Sequence, residues 1–190
     1  MAAILSAIEI DDGWVRGARR VPSPNADARP PGVEIALVIV HSINLPPGEF
    51  GGPWIERLFM NTLPASAHPY FRELVAARVS AHVLVQRDGS LIQFAPFGAR
   101  AWHAGASTWA GRSNCNDYSV GIEVEGCDDV PYSDRQYRRL AALVASLRRV
   151  YPTIAPDAVV GHSDVAPGRK TDPGAAFDWA RFQAAGLTAS

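Results

Sequence analysis

Apolar and polar positions follow four distinct patterns along the chain. Ala36-Leu37-Val38-Ile39-Val40 is an unbroken apolar run. It predicts an interior strand over about 35–42, with His41 at its end. From Ser80 to Phe94, Val83 and Val85 alternate with Leu84 and Gln86. Asp88-Gly89 then supplies a turn, and Leu91-Ile92-Gln93-Phe94 returns; this predicts a β-hairpin. Ser119 to Glu125 alternates strictly, with Val120, Ile122 and Val124 on one face and Glu123 and Glu125 on the other. Over 133–151 the period lengthens to that of a helix, with Tyr137, Leu140, Leu143, Val144, Leu147 and Tyr151 on one side. Ser133 and Gln136 form a capping box, and Pro152 stops the helix.

Breakers fill the rest. Val21-Pro22-Ser23-Pro24-Asn25 and Arg29-Pro30-Pro31-Gly32 predict that residues 1–32 form an extended surface arm. Leu45 to Pro53 is too rich in Gly and Pro for a regular element. Trp54 to Met60 predicts a short helix. His68 to Arg78 predicts another, with Pro69 in its first turn. The 43–78 stretch is therefore a long connection directly after His41, and long connections are often functional. There is no internal repeat or second domain. A chain of 190 residues, 47% hydrophobic, can bury one good core.

Charge narrows the functional classes. Net charge is −1 and no run of Lys and Arg exceeds two, so a basic footprint for nucleic acid or an anionic membrane is absent. The N-terminus has no basic region and Glu9 interrupts its apolar stretch, which predicts no secretory signal. No apolar run reaches membrane-spanning length. The two cysteines, Cys115 and Cys127, read as reduced thiols of a cytosolic protein.

Candidate chemistry gathers at His41 and at Gly161-His162-Ser163-Asp164-Val165-Ala166-Pro167-Gly168-Arg169-Lys170-Thr171-Asp172-Pro173-Gly174, which reads as a loop. Two imidazoles and a carboxylate are the ligand set of an open zinc site, with a fourth position left for water. Spacing alone leaves this reading beside the plainer one of two structural histidines. Glu123 is either a solvated carboxylate on an edge strand or a general base, and alternation cannot separate it from Glu125. Lys170 is either a solvated lysine or a cation for an oxyanion. Trp102, in Ala101-Trp102-His103-Ala104-Gly105, offers an apolar platform at a cleft or ordinary packing. Arg78, Arg112 and Arg169 suit bidentate carboxylate binding, and equally a plain surface. His82 and His103 are given structural roles.

Several stretches, in order, resemble a known family. They include Gly13-Trp14 with Ala18-Arg19-Arg20-Val21-Pro22-Ser23-Pro24, and Val40-His41 with Leu45-Pro46-Pro47-Gly48-Glu49-Phe50-Gly51-Gly52-Pro53-Trp54. His68-Pro69-Tyr70-Phe71, Arg78-Val79-Ser80-Ala81-His82, Arg87-Asp88-Gly89 and Arg100-Ala101-Trp102-His103-Ala104-Gly105 follow. Then come Cys115-Asn116-Asp117, Gly121-Ile122-Glu123, Glu125-Gly126, Gly161-His162, Arg169-Lys170-Thr171-Asp172-Pro173-Gly174 and Phe177-Asp178-Trp179. Together they cover about 13–182, leaving 1–12 as an N-terminal extension of one domain over 1–190. The chain is similar to the cytoplasmic anhydro-N-acetylmuramyl-L-alanine amidases, within the wider amidase and peptidoglycan recognition protein class.

That resemblance implies an α/β domain with a central mixed β-sheet flanked by helices. It implies Zn2+ on His41, His162 and Asp172, Glu123 rather than Glu125 as acid/base, and Lys170 as the oxyanion-stabilising cation. Trp102, Ala101, Arg78, Arg169 and Ser42 are the candidate substrate contacts. The implied reaction is hydrolysis of the amide between the lactyl group of 1,6-anhydro-N-acetylmuramic acid and L-alanine, by a cytoplasmic monomer that recycles wall fragments. Where a β-lactamase is inducible, it also removes the inducing muropeptide. Ser42, Asn114 and Ser163-Asp164 depart from the residues commoner in the family; none removes a zinc ligand or the acid/base, and the first two bear on contacts to sugar or peptide. Two alternatives stand beside this reading: an amidase acting on polymeric peptidoglycan, and a non-catalytic muropeptide-binding module.

Overall fold

A computed structural model describes residues 7–187. Its centre is a six-stranded mixed sheet. In chain order the strands are β1 (Arg19–Arg20), β2 (Leu37–Ile43), β3 (Val83–Val85), β4 (Leu91–Gln93), β5 (Ser119–Glu125) and β6 (Val159–Gly161). In space they run β6-β2-β5-β3-β4-β1. β6, β2, β5 and β3 are mutually parallel, β4 returns antiparallel from β3, and β1 lies parallel to β4. The apolar run of β2 is explained by this placement, because an interior parallel strand is covered on both faces. The expected hairpin is β3–β4.

Five helices accompany the sheet among the described residues: α1 (Trp54–Phe59), α2 (Phe71–Leu74), α3 (Asp134–Val150), α4 (His162–Val165) and α5 (Trp179–Leu187). α3 forms as its pattern predicts, and the Ser133–Gln136 capping box is present. Leu140, Leu143 and Leu147 of α3 join Val83, Val85, Val120, Ile122 and Phe182 in the larger core. On the opposite face Ile55, Leu58 and Phe59 of α1 and Phe71 of α2 pack with Leu84 and Ile92. Successive residues of β3 thus face different cores, as strand alternation requires. The domain is α/β, with helices on both sheet faces, as the sequence led us to expect.

Four expectations need correction. The N-terminal segment is not a surface arm. Arg19–Arg20 joins the sheet edge, and Ala26–Ala28 pairs with Ala99–Ala101. Asn25 is buried between them, its amide donating to the carbonyls of Phe59 and Val79. Ile8 and Val15 are buried in the larger core, and the side-chain bonds of Asn25 add to that anchoring. The helix expected over 68–78 shrinks to Phe71–Leu74, because only Phe71 reaches the core and a short helix without a packed face is marginal. The segment after Gly161 opens with one helical turn, α4, instead of pure loop. Lastly, β5 is no edge strand; it lies between β2 and β3 and is buried throughout. Cys115 and Cys127 are free thiols. No described helix is long and apolar enough to cross a membrane.

Candidate active site

Strand register builds the site. Gly161 of β6 is level with Val40 of β2, so the next residue, His162, arrives beside His41. On the other flank, His41 is level with Glu123 of β5. Three parallel strands therefore line up His162, His41 and Glu123 near their carboxyl ends, where open α/β sheets bind ligands. The departure Asp164 has a structural task here. Its carboxylate accepts the Gly161 N–H at 2.7 Å and caps the turn that carries His162. The chain then loops back, and Ser163 N–H donates to the Asp172 carbonyl at 3.0 Å, which returns Asp172 to the same point.

Three donor atoms converge there. His41 Nδ1 is 2.9 Å from His162 Nδ1 and 3.1 Å from Asp172 Oδ2, and His162 Nδ1 is 3.0 Å from the same oxygen. Bonds of the length zinc makes to N and O would set tetrahedral ligands about 3.3 Å apart, so this triangle is close to that of a three-ligand zinc site. His162 Nε2 lies 3.2 Å from the Ala104 carbonyl and must donate to it, which leaves Nδ1 as a bare lone pair. One proton can bridge two such atoms but not satisfy three. The donor set fits zinc, a metal that accepts imidazole and carboxylate together.

The electrostatics agree with a cation site. Burial pulls His41 down to about 4, against opposing help from Asp172, so its imidazole is neutral at pH 7 and able to ligate. Burial would raise Asp172, but hydrogen bonds from His162 and His41 outweigh it and hold this carboxyl below the usual range. Glu123 behaves oppositely. Burial and the nearby Asp172 charge push its carboxyl well above the ordinary value, while Lys170 partly opposes them. Its Oε2 is buried and has no hydrogen-bond partner.

A cleft of about 240 Å³ opens over this row. Ser42, Lys170 and Glu123 line it, together with Tyr70, Leu74 and Val79 from the long connection after β2. Of the expected substrate contacts only Ser42 is in this cleft. Ala101 is fully buried in the small strand beside Ala26. Arg78 is exposed and donates to the carbonyls of Val75 and Ala77. Arg169 donates to those of Ala104 and Ala106. Trp102 faces a neighbouring recess with Arg100, Asn114 and Asn116.

Glu125 also has an assigned place. Its two oxygens accept the backbone N–H groups of Gly51 and Arg87. One residue given only a structural role in the sequence proves to adjoin the site: His103 lines the cleft, with Nδ1 3.0 Å from His41 Nε2. Only its loop, rich in small residues, hinted at a close approach.

Residues 31–175 match the family model described as N-acetylmuramoyl-L-alanine amidase. The chain is 56% identical over 174 residues to the 1,6-anhydro-N-acetylmuramyl-L-alanine amidase AmpD of Escherichia coli (strain K12), covering 92% of this chain and 94% of that one. It superposes on a crystal structure of a selenomethionine AmpD derivative with a TM-score of 0.91 at 54% identity, over 94% of this chain and 99% of that one. A more distant neighbour is the N-acetylmuramyl-L-alanine amidase AmiD from E. coli in complex with the substrate anhydro-N-acetylmuramic acid-L-Ala-D-γ-Glu-L-Lys. There the TM-score is 0.58 at 27% identity, over 95% of this chain and 66% of that one.

Proposed function

The chain belongs to the N-acetylmuramoyl-L-alanine amidase family, and from that premise we propose that it hydrolyses the lactyl–L-alanine amide of 1,6-anhydro-N-acetylmuramyl peptides with the help of one zinc ion. The observation that carries this reading is the triangle of His41 Nδ1, His162 Nδ1 and Asp172 Oδ2 beside the unpartnered Glu123 carboxylate. The likeness to AmpD over nearly the whole chain supports the anhydromuramyl substrate.

His41, His162 and Asp172 would hold the ion. When bound, zinc supplies a Lewis acid and a water of lowered pKa. Glu123 is the group that moves the proton. A carboxylate in a dry pocket, with one oxygen free of partners, accepts a proton readily and is a good donor afterwards. It takes a proton from the attacking water and returns it to the amine of L-alanine as the C–N bond breaks. Lys170, at the rim of the same cleft, offsets the negative charge that develops on the amide oxygen. Ser42 contacts substrate from the floor. Trp102, Arg78, Ala101 and Arg169 are the other candidate contacts. Ala101 acts there through its backbone strand, since its side chain is buried.

The setting of this activity is the cytoplasm, where a monomer clears wall fragments. In bacteria with an inducible β-lactamase it thereby lowers the inducing muropeptide. Incubation with soluble anhydromuramyl-tripeptide and with intact sacculi tests the reading. Release of free tripeptide from the soluble substrate at a far higher rate is expected. Comparable release from sacculi would point instead to an amidase of polymeric wall, and binding without release would point to a muropeptide-binding module.

A further inference from the structure

His103 stands outside the donor triangle but against it. Its Nδ1 is 3.0 Å from His41 Nε2, and the two rings meet edge to face with centroids 5.1 Å apart. On the far side its Nε2 is 3.3 Å from Ser119 Oγ. The backbone that carries it is held too. The N–H groups of His103 and Ala104 both donate to Asn116 Oδ1, at 3.2 and 2.8 Å. Beneath the ring lies Gly121 of β5. A Cβ built there would come within 2.4 Å of the imidazole. Gly121 sits mid-strand, level with Ile39 of β2, its N–H donates to His82 Nδ1 on the other side, and its φ is not positive, so what its missing side chain provides is room.

Donor and acceptor bookkeeping gives one consistent chain. A neutral imidazole carries one proton, so a His41 that offers Nδ1 to a cation must carry its proton on Nε2. That proton faces His103 Nδ1, which must then accept. His103 in turn carries its own proton on Nε2 and donates it to Ser119 Oγ. Each nitrogen has one role and one partner. Metal-binding histidines are commonly oriented by such a contact on their second nitrogen.

We propose that His103 is a positioning residue for the metal centre: it accepts the Nε2–H of His41, and so fixes both the ring orientation and the nitrogen that His41 presents to zinc. Gly121 is the space this support requires. The inference rests on the zinc reading of His41, His162 and Asp172, and adds a residue that touches none of the reacting atoms.

The test is zinc affinity, measured by chelator competition, in the parent, His103→Ala and His103→Asn. Asn places an acceptor oxygen near the position of Nδ1. His103→Ala is expected to weaken zinc binding by about 10–100-fold, and His103→Asn to recover most of that loss. Equal affinity in His103→Ala, or no recovery in His103→Asn, overturns the inference and leaves the zinc reading intact. A parent that binds no zinc, or binds it equally well with Asp172→Ala, overturns the zinc reading and the inference with it. If His103→Ala does not fold, nitrogen NMR of the zinc-loaded parent decides. A bare Nδ1 and a protonated Nε2 on His103 are expected, and a proton on Nδ1 rules the support out.

Discussion

Glu123 and Glu125 are the same residue type, two positions apart on one strand and on one face, yet they sit in opposite surroundings. At the loop junction, Glu125 Oε1 accepts the Gly51 N–H at 2.5 Å and Oε2 accepts the Arg87 N–H at 3.0 Å. It ties the long connection after β2 and the β3–β4 turn to the sheet. At the cleft, Glu123 Oε2 is buried and unpartnered, and its carboxyl is pushed well above its ordinary value. One carboxylate is satisfied and holds the fold. The other is left unsatisfied, at a cost to stability, beside the His41, His162 and Asp172 cluster, which suits the proton exchange proposed for it. What separates reactivity from structure here is which backbone groups come within reach, not the side chain.

The largest expected effect sharpens that contrast. Glu123→Gln keeps zinc and still binds the anhydromuramyl product, but loses about 10²–10⁴-fold in kcat. Glu125→Gln stays within a few-fold of the parent. Steady-state kinetics on purified variants would break the comparison if the order were reversed. Lys170→Met comes next, with a loss of about 10²–10³-fold in kcat and little change in KM, because its charge matters most when the amide oxygen becomes anionic. A change confined to KM would move Lys170 to a carboxylate of the peptide.

A third prediction turns to stability. Glu125→Gln leaves one carbonyl oxygen where two oxygens accept the half-exposed Gly51 and Arg87 N–H groups, and should cost about 0.5–1.5 kcal/mol in denaturant unfolding. The smallest effect is opposite in sign. In zinc-free protein Glu123→Gln should be more stable than the parent at neutral pH. The folded-state pKa of Glu123 lies above the ordinary 4.5, so its contribution is intact below that value and is lost as pH rises toward the folded pKa. The advantage of Glu123→Gln therefore grows across that window and vanishes below it. Unfolding curves at several pH values would show it, and a pH-independent difference would remove the cost assigned to the buried carboxylate.

Much of the fold could be read from the chain because its signals are local. The period of α3 and its capping box lie within 18 residues, and the Asp88-Gly89 turn sits between the strands it joins. The site was legible as a list of residues but not as a place. His41 meets His162 only through the register of β6 against β2, and β6 is just three residues long. Alternation put Glu123 and Glu125 on one face and could go no further, because Gly51 and Arg87 come from distant segments. The N-terminal segment misled for a related reason. Asn25 is buried by hydrogen bonds to Phe59 and Val79, partners that no apolar pattern announces.

The central claim is a zinc centre on His41, His162 and Asp172 serving an amidase. Metal analysis coupled to product identification tests it most directly. The parent, its chelated form, the chelated form refilled with zinc, and Asp172→Ala would each be given anhydromuramyl-tripeptide. Expected are one zinc per chain in the parent, loss of tripeptide release on chelation, recovery on refilling, and neither firm zinc nor release in Asp172→Ala. Full release by zinc-free Asp172→Ala would contradict it.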